Sequence, residues 1–243
     1  MERVLSMDRL AEQAVADVKS GMVVGLGTGR AASRGVRALG DRVRTEKLDI
    51  RCVSTSRATD DLAAELGLTV VDLNSVEAVD LLFDGADEVD PNLYMIKGGG
   101  GAMTRERIVA HAASRRVYMV DSGKLTPRLG TRFRLPVEVL PMAKALVQRE
   151  LEDQMELEGT WRQRTMTGSS ATTDYITDNG NLIFDLTLPA PTAASRDELY
   201  TLDADLKQLP GVVDHGLFLM ECQTLLVEWT DGRVETRHRR DEA

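Results

Sequence analysis

Apolar and polar positions recur along this chain in two periods, and the period identifies the elements. Leu10, Ala11, Ala14, Val15 and Val18 fall at helical spacing over residues 8–20, with Gly21 as the expected stop. The run MVVGL (22–26) reads as a short buried strand and GTGRAASRG as a glycine turn. Ala32, Val36 and Leu39 then mark a helix that reaches Gly40. Ile50–Val53 is a second strand, and Ser54, Thr55 and Ser56 form a hydroxyl-rich turn. A helix carrying Leu62, Ala63 and Leu66 stops at Gly67, and Leu68–Leu73 and Val79–Phe83 are further expected strands. Ile108, Val109, Ala112 and Ala113 mark another helix, and Val117–Val120 another strand. Strands alternating with helices predict an α/β domain, a mostly parallel sheet covered on both faces.

The pattern changes near Leu135. LPVEVLP (135–141) has the alternating character of a short strand, and Ala143–Leu151 that of a helix. Thr160–Met166 and Leu182–Leu188 read as strands, with DNGN (178–181) as the turn before the second. Asp197–Leu209 is a helix and Val212–Phe218 a last strand. The resulting βαββαβ order fits a ferredoxin-like α+β unit. LLVEW (225–229) and RVETRHR, joined by Asp231-Gly232, form a hairpin expected to return to the first domain. The predicted organisation is therefore an α/β domain of residues 1–130 plus 219–243, with a domain of residues 131–218 inserted into it.

Composition narrows the function classes. A chain of 243 residues with 42% apolar and 28% charged positions is expected to fold as a soluble globular protein. Its net charge of −9 argues against nucleic acid as a partner, because phosphates are bound by clustered Lys and Arg. The Arg-rich end, Arg233–Arg240, is interrupted by Glu235 and followed by Asp241 and Glu242, and reads as a solvated tail. Cys52 and Cys222 lie in apolar surroundings without a CxxC pair, so both are expected to be buried thiols. The start lacks the continuous apolar core of a signal peptide, and no run suits a membrane span. The cytoplasm is the expected compartment.

Chemistry gathers at predicted strand ends, which is where open α/β sheets bind their ligands. GLGTG (25–29), Ser54–Ser56, Asp84–Asp87 and Asp121–Lys124 all lie there. The first glycine turn partly mimics a dinucleotide fingerprint, but its second strand ends at Val53-Ser54-Thr55 without the acidic residue that a nucleotide ribose requires. A small phosphate ester suits it better, held on the N–H groups that open a helix; a tight turn without a ligand is the plain alternative. The densest stretch is DGADEVDPNLYMIKGGGGAMTRE (84–106). It combines Asp84, Asp87, a lone Lys97, the glycines Gly98–Gly101 and Glu106 where a helix should begin. Four consecutive glycines are entropically costly, and a chain tolerates them where a ligand approaches the backbone closely or in a flexible linker. Taken singly, Asp84 and Asp87 could cap turns, Lys97 and Lys124 could be solvated, and Glu106 could favour the positive end of its helix. His111 and His215 read as structural, and no cluster has metal-ligand spacing.

With these segments in view, the chain resembles the A type of ribose-5-phosphate isomerase. The resemblance rests on GLGTG (25–29), DGADEVD (84–90), KGGGGAMTRE (97–106), DSGKL (121–125), LPVEVLP (135–141), TDNGN (177–181) and PGVVDHGLF (210–218), in order along nearly the whole chain. It implies a Rossmann-like domain with a ferredoxin-like insert. The implied activity interconverts D-ribose 5-phosphate and D-ribulose 5-phosphate in the non-oxidative pentose phosphate pathway, without metal or organic cofactor. In that reading Glu106 is the base that shuttles a proton through a cis-enediolate, and Asp84 assists ring opening. Lys97 and the N–H groups of Gly98, Gly99 and Gly100 steady the developing oxyanion. Asp84, Gly85, Ala86 and Asp87 contact the sugar, Lys124 binds substrate, and Thr28, Gly29, Arg30 and Ala31 cradle the phosphate. The implied partners are the sugar phosphate and a second copy of the chain in a homodimer, although tetramers also occur in the family.

Two departures stand out. The family's usual GTGST is here Gly27, Thr28, Gly29, Arg30, Ala31, and no lysine precedes Lys19 in the first helix, where the family often carries one. Arg30 is therefore expected to supply phosphate charge, since a guanidinium binds phosphate through two parallel hydrogen bonds; the alternative is that it points to solvent. Two rival classes are a non-catalytic sugar-phosphate sensor and a related-fold enzyme, an amino-sugar-phosphate deaminase or a CoA transferase. A sensor would have no use for Glu106, and the inserted domain weighs against both enzymes.

Overall fold

The computed structural model describes residues 8–166, 170–188 and 196–239, so the first residues of the chain lie outside it. Of the Arg-rich end expected as a solvated tail, Val234–His238 is instead a strand paired with Thr224–Glu228, and Arg240 lies outside the described residues. In chain order the elements are α1 (Arg9–Val15), β1 (Val23–Leu26), α2 (Arg30–Glu46), β2 (Arg51–Ser54), α3 (Arg57–Glu65) and β3 (Val79–Gly85). Short strands β4 (Glu88–Val89) and β5 (Met95–Ile96) precede α4 (Met103–Ala112) and β6 (Ala113–Asp121). Then come β7 (Leu135–Val139), α5 (Lys144–Arg149), β8 (Gly159–Trp161), β9 (Gln163–Thr165), β10 (Thr172–Asp174), β11 (Leu182–Leu186) and α6 (Arg196–Gln208). The last are β12 (Val212–His215), β13 (Leu217–Phe218), β14 (Thr224–Glu228) and β15 (Val234–His238). They form two compact units. One contains the chain up to Ala86, Arg105–Lys124 and the chain from Met220; the other contains Asp87–Thr104 and Leu125–Leu219. The second unit thus takes in 87–104 and 125–130 as well as the 131–218 expected for it.

The first unit is built on a six-stranded sheet in the order β15-β14-β6-β3-β1-β2. Every neighbouring pair is parallel except the β14–β15 hairpin, which joins through β14 alongside β6. Successive side chains of a strand point to opposite faces, and both faces here are apolar. Leu81 and Phe83 pack with Leu10 and Ala14 of α1, Val36 and Leu39 of α2 and Ala63 of α3. Val79 and Leu82 pack on the other side with Val109 and Ala110 of α4. That two-sided burial is why these strands read as continuous apolar runs. Cys52 and Cys222 are buried free thiols, and burial pushes the Cys52 thiol up to about 12.

Several elements differ from expectation. α1 ends at Val15, and α2 runs past Gly40 to Glu46, closing at Lys47 in the left-handed conformation. Gly40 does not terminate the helix; a Cβ there would come within 3.1 Å of Leu66, so its small size lets α2 and α3 approach. Leu68–Leu73 is not a strand: among the described residues it forms one bridge, Val70 with Cys52, before a 3-10 turn over Leu73–Ser75. The helix containing Ile108 ends at Ala112, and Ala113 already belongs to β6.

In the second unit the expected βαββαβ order is present as β7-α5-β8-β11-α6-β12, with antiparallel sheet order β12-β7-β11-β8. Leu135, Val137, Val139, Phe184 and Leu186 pack against Val147 of α5 and Leu199 and Leu206 of α6. The expected strand 160–166 divides at Arg162, β8 pairing with β11 and β9 with β10. The expected strand 212–218 divides at Gly216. β12 stays beside β7, whereas β13 joins β5 and β4 in a small sheet. Gly216 lies so close to Lys97 and Pro136 that a Cβ would meet the Lys97 carbonyl oxygen at 2.1 Å.

Candidate active site

In the first unit, β1 ends in the loop expected to hold phosphate. Gly27 N–H donates to the Phe83 carbonyl at 3.0 Å, and a Cβ at Gly27 would fall 2.2 Å from Asp84 Oδ1. Glycine is therefore required by close approach. That same oxygen of Asp84 accepts the N–H of Thr28 at 3.1 Å and of Gly85 at 2.7 Å. The Thr28 hydroxyl lies 2.7 Å from Thr55 Oγ1 and donates to Ser56 Oγ at 2.9 Å. Ser56 donates on to Thr59, and Thr59 to the Gly27 carbonyl. The hydroxyl-rich turn is thus directed at the glycine loop, holding it from behind. α2 starts at Arg30 with Gly29 as an N-cap (φ +96°) that offers no side chain to bond the first N–H groups of α2. Such a terminus carries partial positive charge and favours anions. Ala31 lies against Gly85, where an added Cβ would be 3.4 Å from its methyl group. Arg30 is exposed, and no ion pair or hydrogen bond of its side chain occurs among the described residues.

Asp84 is completely buried at the carboxyl end of β3, in register with Tyr118 of β6. Glu106 lies in the first turn of α4 and is 4% exposed. The Tyr118 phenol is held well above its ordinary value, first by burial, then by the negative charges of Asp84 and Glu221, with Cys222 and Glu106 adding to them. Both candidate carboxylates thus bear on one buried phenol, which sequence reasoning passed over as an apolar strand position. The next residue of α4, Arg107, pairs with Glu221. Lys124 is half-buried at the end of a 3-10 turn over Ser122–Lys124. Ala86 is half-buried where the first unit ends.

In the second unit, Asp87 and the glycine run are brought together directly. Gly99 N–H donates to Asp87 Oδ2 at 2.7 Å, and a Cβ on Gly99 would reach Asp87 Oδ1 at 2.7 Å. Gly98 has φ +91°, and Gly101 N–H closes a turn onto its carbonyl at 2.9 Å. Gly99 and Gly100 are exposed. Lys97 is 2% exposed; its backbone N–H bonds Gly216 O at 2.9 Å, and its ammonium lies 5.6 Å from the centre of the Phe218 ring. An ammonium over a ring face is attracted by the ring quadrupole.

A further carboxylate has no counterpart among the expected site residues. Glu138 of β7 is fully buried and accepts from Thr177 Oγ1 at 2.7 Å, Asn181 Nδ2 at 2.9 Å and Asn179 Nδ2 at 3.1 Å. Thr104, in the first turn of α4, donates to its other oxygen. LPVEVLP and TDNGN carried the resemblance without a role; here one supplies a buried acceptor and the other its donors. Among the described residues no group of His, Cys, Asp and Glu could hold a metal ion.

Residues 51–232 match the family model of ribose 5-phosphate isomerase A (phosphoriboisomerase A). A ribose-5-phosphate isomerase A of Chlamydia trachomatis serovar A is 42% identical over 234 residues, covering 96% of this chain and 92% of its own. The solved structure of ribose 5-phosphate isomerase A from Methanocaldococcus jannaschii is 39% identical with a TM-score of 0.84, covering 94% of this chain and 96% of its own. A D-ribose-5-phosphate isomerase solved in complex with phospho-erythronic acid is 33% identical with a TM-score of 0.84, covering 95% and 96% respectively. The chain belongs to the ribose 5-phosphate isomerase A family.

Proposed function

We propose that this chain interconverts D-ribose 5-phosphate and D-ribulose 5-phosphate through a cis-enediolate, with Glu106 moving the proton. The observation that carries this reading is the burial of Asp84, Lys97 and Glu106, which are 0%, 2% and 4% exposed. Burying ionisable groups opposes folding unless they are compensated, and such groups concentrate at functional sites. Asp84 takes the proton of the anomeric hydroxyl and returns it to the ring oxygen as the C1–O4 bond breaks, leaving the open-chain aldehyde. Glu106 then takes the proton from C2 while the carbonyl electrons move onto O1. Lys97 and the N–H groups of Gly98 and Gly100 stabilise the charge that develops there, Gly99 N–H being given to Asp87. Return of the proton to C1, with transfer of the O2 proton to O1, leaves the ketone at C2. Nothing is oxidised or reduced overall, so no cofactor is required.

The phosphate in this reading sits on the N–H groups at the start of α2, with Thr28, Gly29, Arg30 and Ala31 around it and Lys124 as a further cation. Phospho-erythronic acid in a related enzyme supports a ligand with a phosphate at one end and an anion at the other. The reading includes a homodimer, measured by light scattering. A coupled assay for ribulose 5-phosphate formed from ribose 5-phosphate, with and without EDTA, tests the activity directly. Glu106→Gln is expected to lower kcat about 10²–10⁴-fold while ribose 5-phosphate still binds. Turnover surviving in that variant would remove Glu106 from the role.

A further inference from the structure

Three consecutive carbonyls of the glycine run are held by two side chains of the second unit. Arg162 Nη1 donates to Gly98 O at 3.0 Å and to Gly99 O at 3.2 Å, and the Tyr175 hydroxyl donates to Gly100 O at 3.0 Å. The two residues are themselves joined, Tyr175 N–H bonding Arg162 O at 2.9 Å, with the guanidinium 5.9 Å from the Tyr175 ring centre. Asp185 of β11 grips the opposite edge of the guanidinium, accepting from Nε at 2.8 Å and from Nη2. Arg162 lies where the expected strand 160–166 breaks between β8 and β9, and its N–H bonds Ile183 O at 2.8 Å. The guanidinium is therefore fixed from both sides before it meets the loop. Gly101 completes the fit, since a Cβ there would lie 2.5 Å from the Tyr175 oxygen.

A peptide group is planar, and its C=O and the N–H that follows point in opposite directions. Holding the carbonyls of Gly98, Gly99 and Gly100 thus fixes the directions of the N–H groups of Gly99, Gly100 and Gly101. Gly99 N–H meets Asp87, Gly101 N–H closes the turn, and Gly100 N–H is left aimed opposite to Arg162. A run of glycines has no side chains to set these planes itself. Burial holds the Tyr175 phenol above its ordinary value despite the nearby Arg162 charge, so it remains a hydrogen-bond donor at neutral pH.

We propose that Arg162 and Tyr175, steadied by Asp185, are positioning residues that orient the peptide planes of Gly98–Gly100 so that the Gly100 N–H serves the developing enediolate oxygen. This rests on the isomerase reading above. They touch the loop's carbonyls rather than the reacting atoms, so they act on the transition state more than on substrate binding. Removing one donor to an oxyanion costs about 10²–10³-fold in kcat, and misaiming one costs less.

The test compares kcat, KM and thermal melting for wild type, Arg162→Met, Tyr175→Phe and Asp185→Asn. Inhibition by phospho-erythronic acid and by inorganic phosphate is measured alongside. Arg162→Met is expected to lower kcat about 30–100-fold and Tyr175→Phe about 5–10-fold, with KM changed less than about 3-fold. Phospho-erythronic acid should bind more weakly in both, and inorganic phosphate as in wild type. Asp185→Asn should fall between them. Lower melting temperatures with unchanged kcat would make these residues structural and overturn the proposal. So would equal weakening of both inhibitors. If Arg162→Met does not fold, Tyr175→Phe, which deletes one oxygen atom, decides by the same readouts. An inactive wild type would instead overturn the isomerase reading.

Discussion

Asp84 shows how much a single oxygen atom does in this chain. Its Oδ1 receives two backbone N–H groups, from Thr28 and Gly85, and leaves no space for a side chain at Gly27. Gly27→Ala is accordingly expected to cost about 1–3 kcal/mol by overpacking, with kcat falling more steeply than the melting temperature suggests. A variant that melts and turns over like wild type would refute this contact. At this scale the sequence points to Asp84, Lys97 and Glu106 as charges beside strand ends or glycines, and all three are buried. What remained hidden were residues whose role is to hold others. The hydroxyls of Thr55 and Ser56, a hydroxyl-rich turn at a strand end in the sequence, are turned onto the glycine loop. Arg162 stands in the expected strand 160–166 and Tyr175 outside any expected element, and nothing in their spacing indicates that they reach a loop more than 60 residues earlier.

At the scale of elements, the start of α4 is the instructive case. Its first turn contains both Thr104, bonded to buried Glu138, and Glu106. Glu138 is surrounded by donors: the hydroxyls of Thr104 and Thr177 and the amides of Asn179 and Asn181. Glu138→Gln places an NH₂ group against some of them, and an unsatisfied buried donor costs about 1–3 kcal/mol. The expected result is a destabilised chain with faster amide exchange in both 103–106 and 177–181; exchange confined to one segment would refute the coupling. Periodicity predicted most helices and strands correctly because their apolar faces pack into the core of their own unit. It failed where tertiary packing overrode local punctuation. Gly40 looked like a stop but is a point of close approach between helices. The apolar run Leu68–Leu73 looked like a strand, but its contribution to the sheet is a single bridge at Val70.

For the molecule as a whole, the order β15-β14-β6-β3-β1-β2 means that the last strands of the chain complete the sheet containing the first. Leu225, Leu226 and Val227 are buried there, and Leu226 packs with Leu10 and Phe83 in the principal core. A chain ending at Leu219 would leave the β6 edge unpaired and that core open. It is expected to lose cooperative thermal unfolding, as followed by circular dichroism; a sharp transition in the truncated chain would contradict this. The return of the C-terminal hairpin was legible from Asp231-Gly232 between the apolar run LLVEW and RVETRHR. The membership of 87–104 in the second unit was not, because β4 and β5 are two-residue strands with no periodicity to detect.

The grip of Thr28 N–H on Asp84 has one more consequence. The loop proposed for phosphate and the carboxylate proposed for ring opening are joined by a 3.1 Å bond. Neither can shift without the other, so the pair acts as a fixed ruler. In that reading a sugar phosphate would be measured from its phosphate end, and one carbon more or fewer would put its anomeric hydroxyl out of reach of Asp84. Selectivity for chain length would follow from backbone geometry rather than from any side chain that touches the extra carbon.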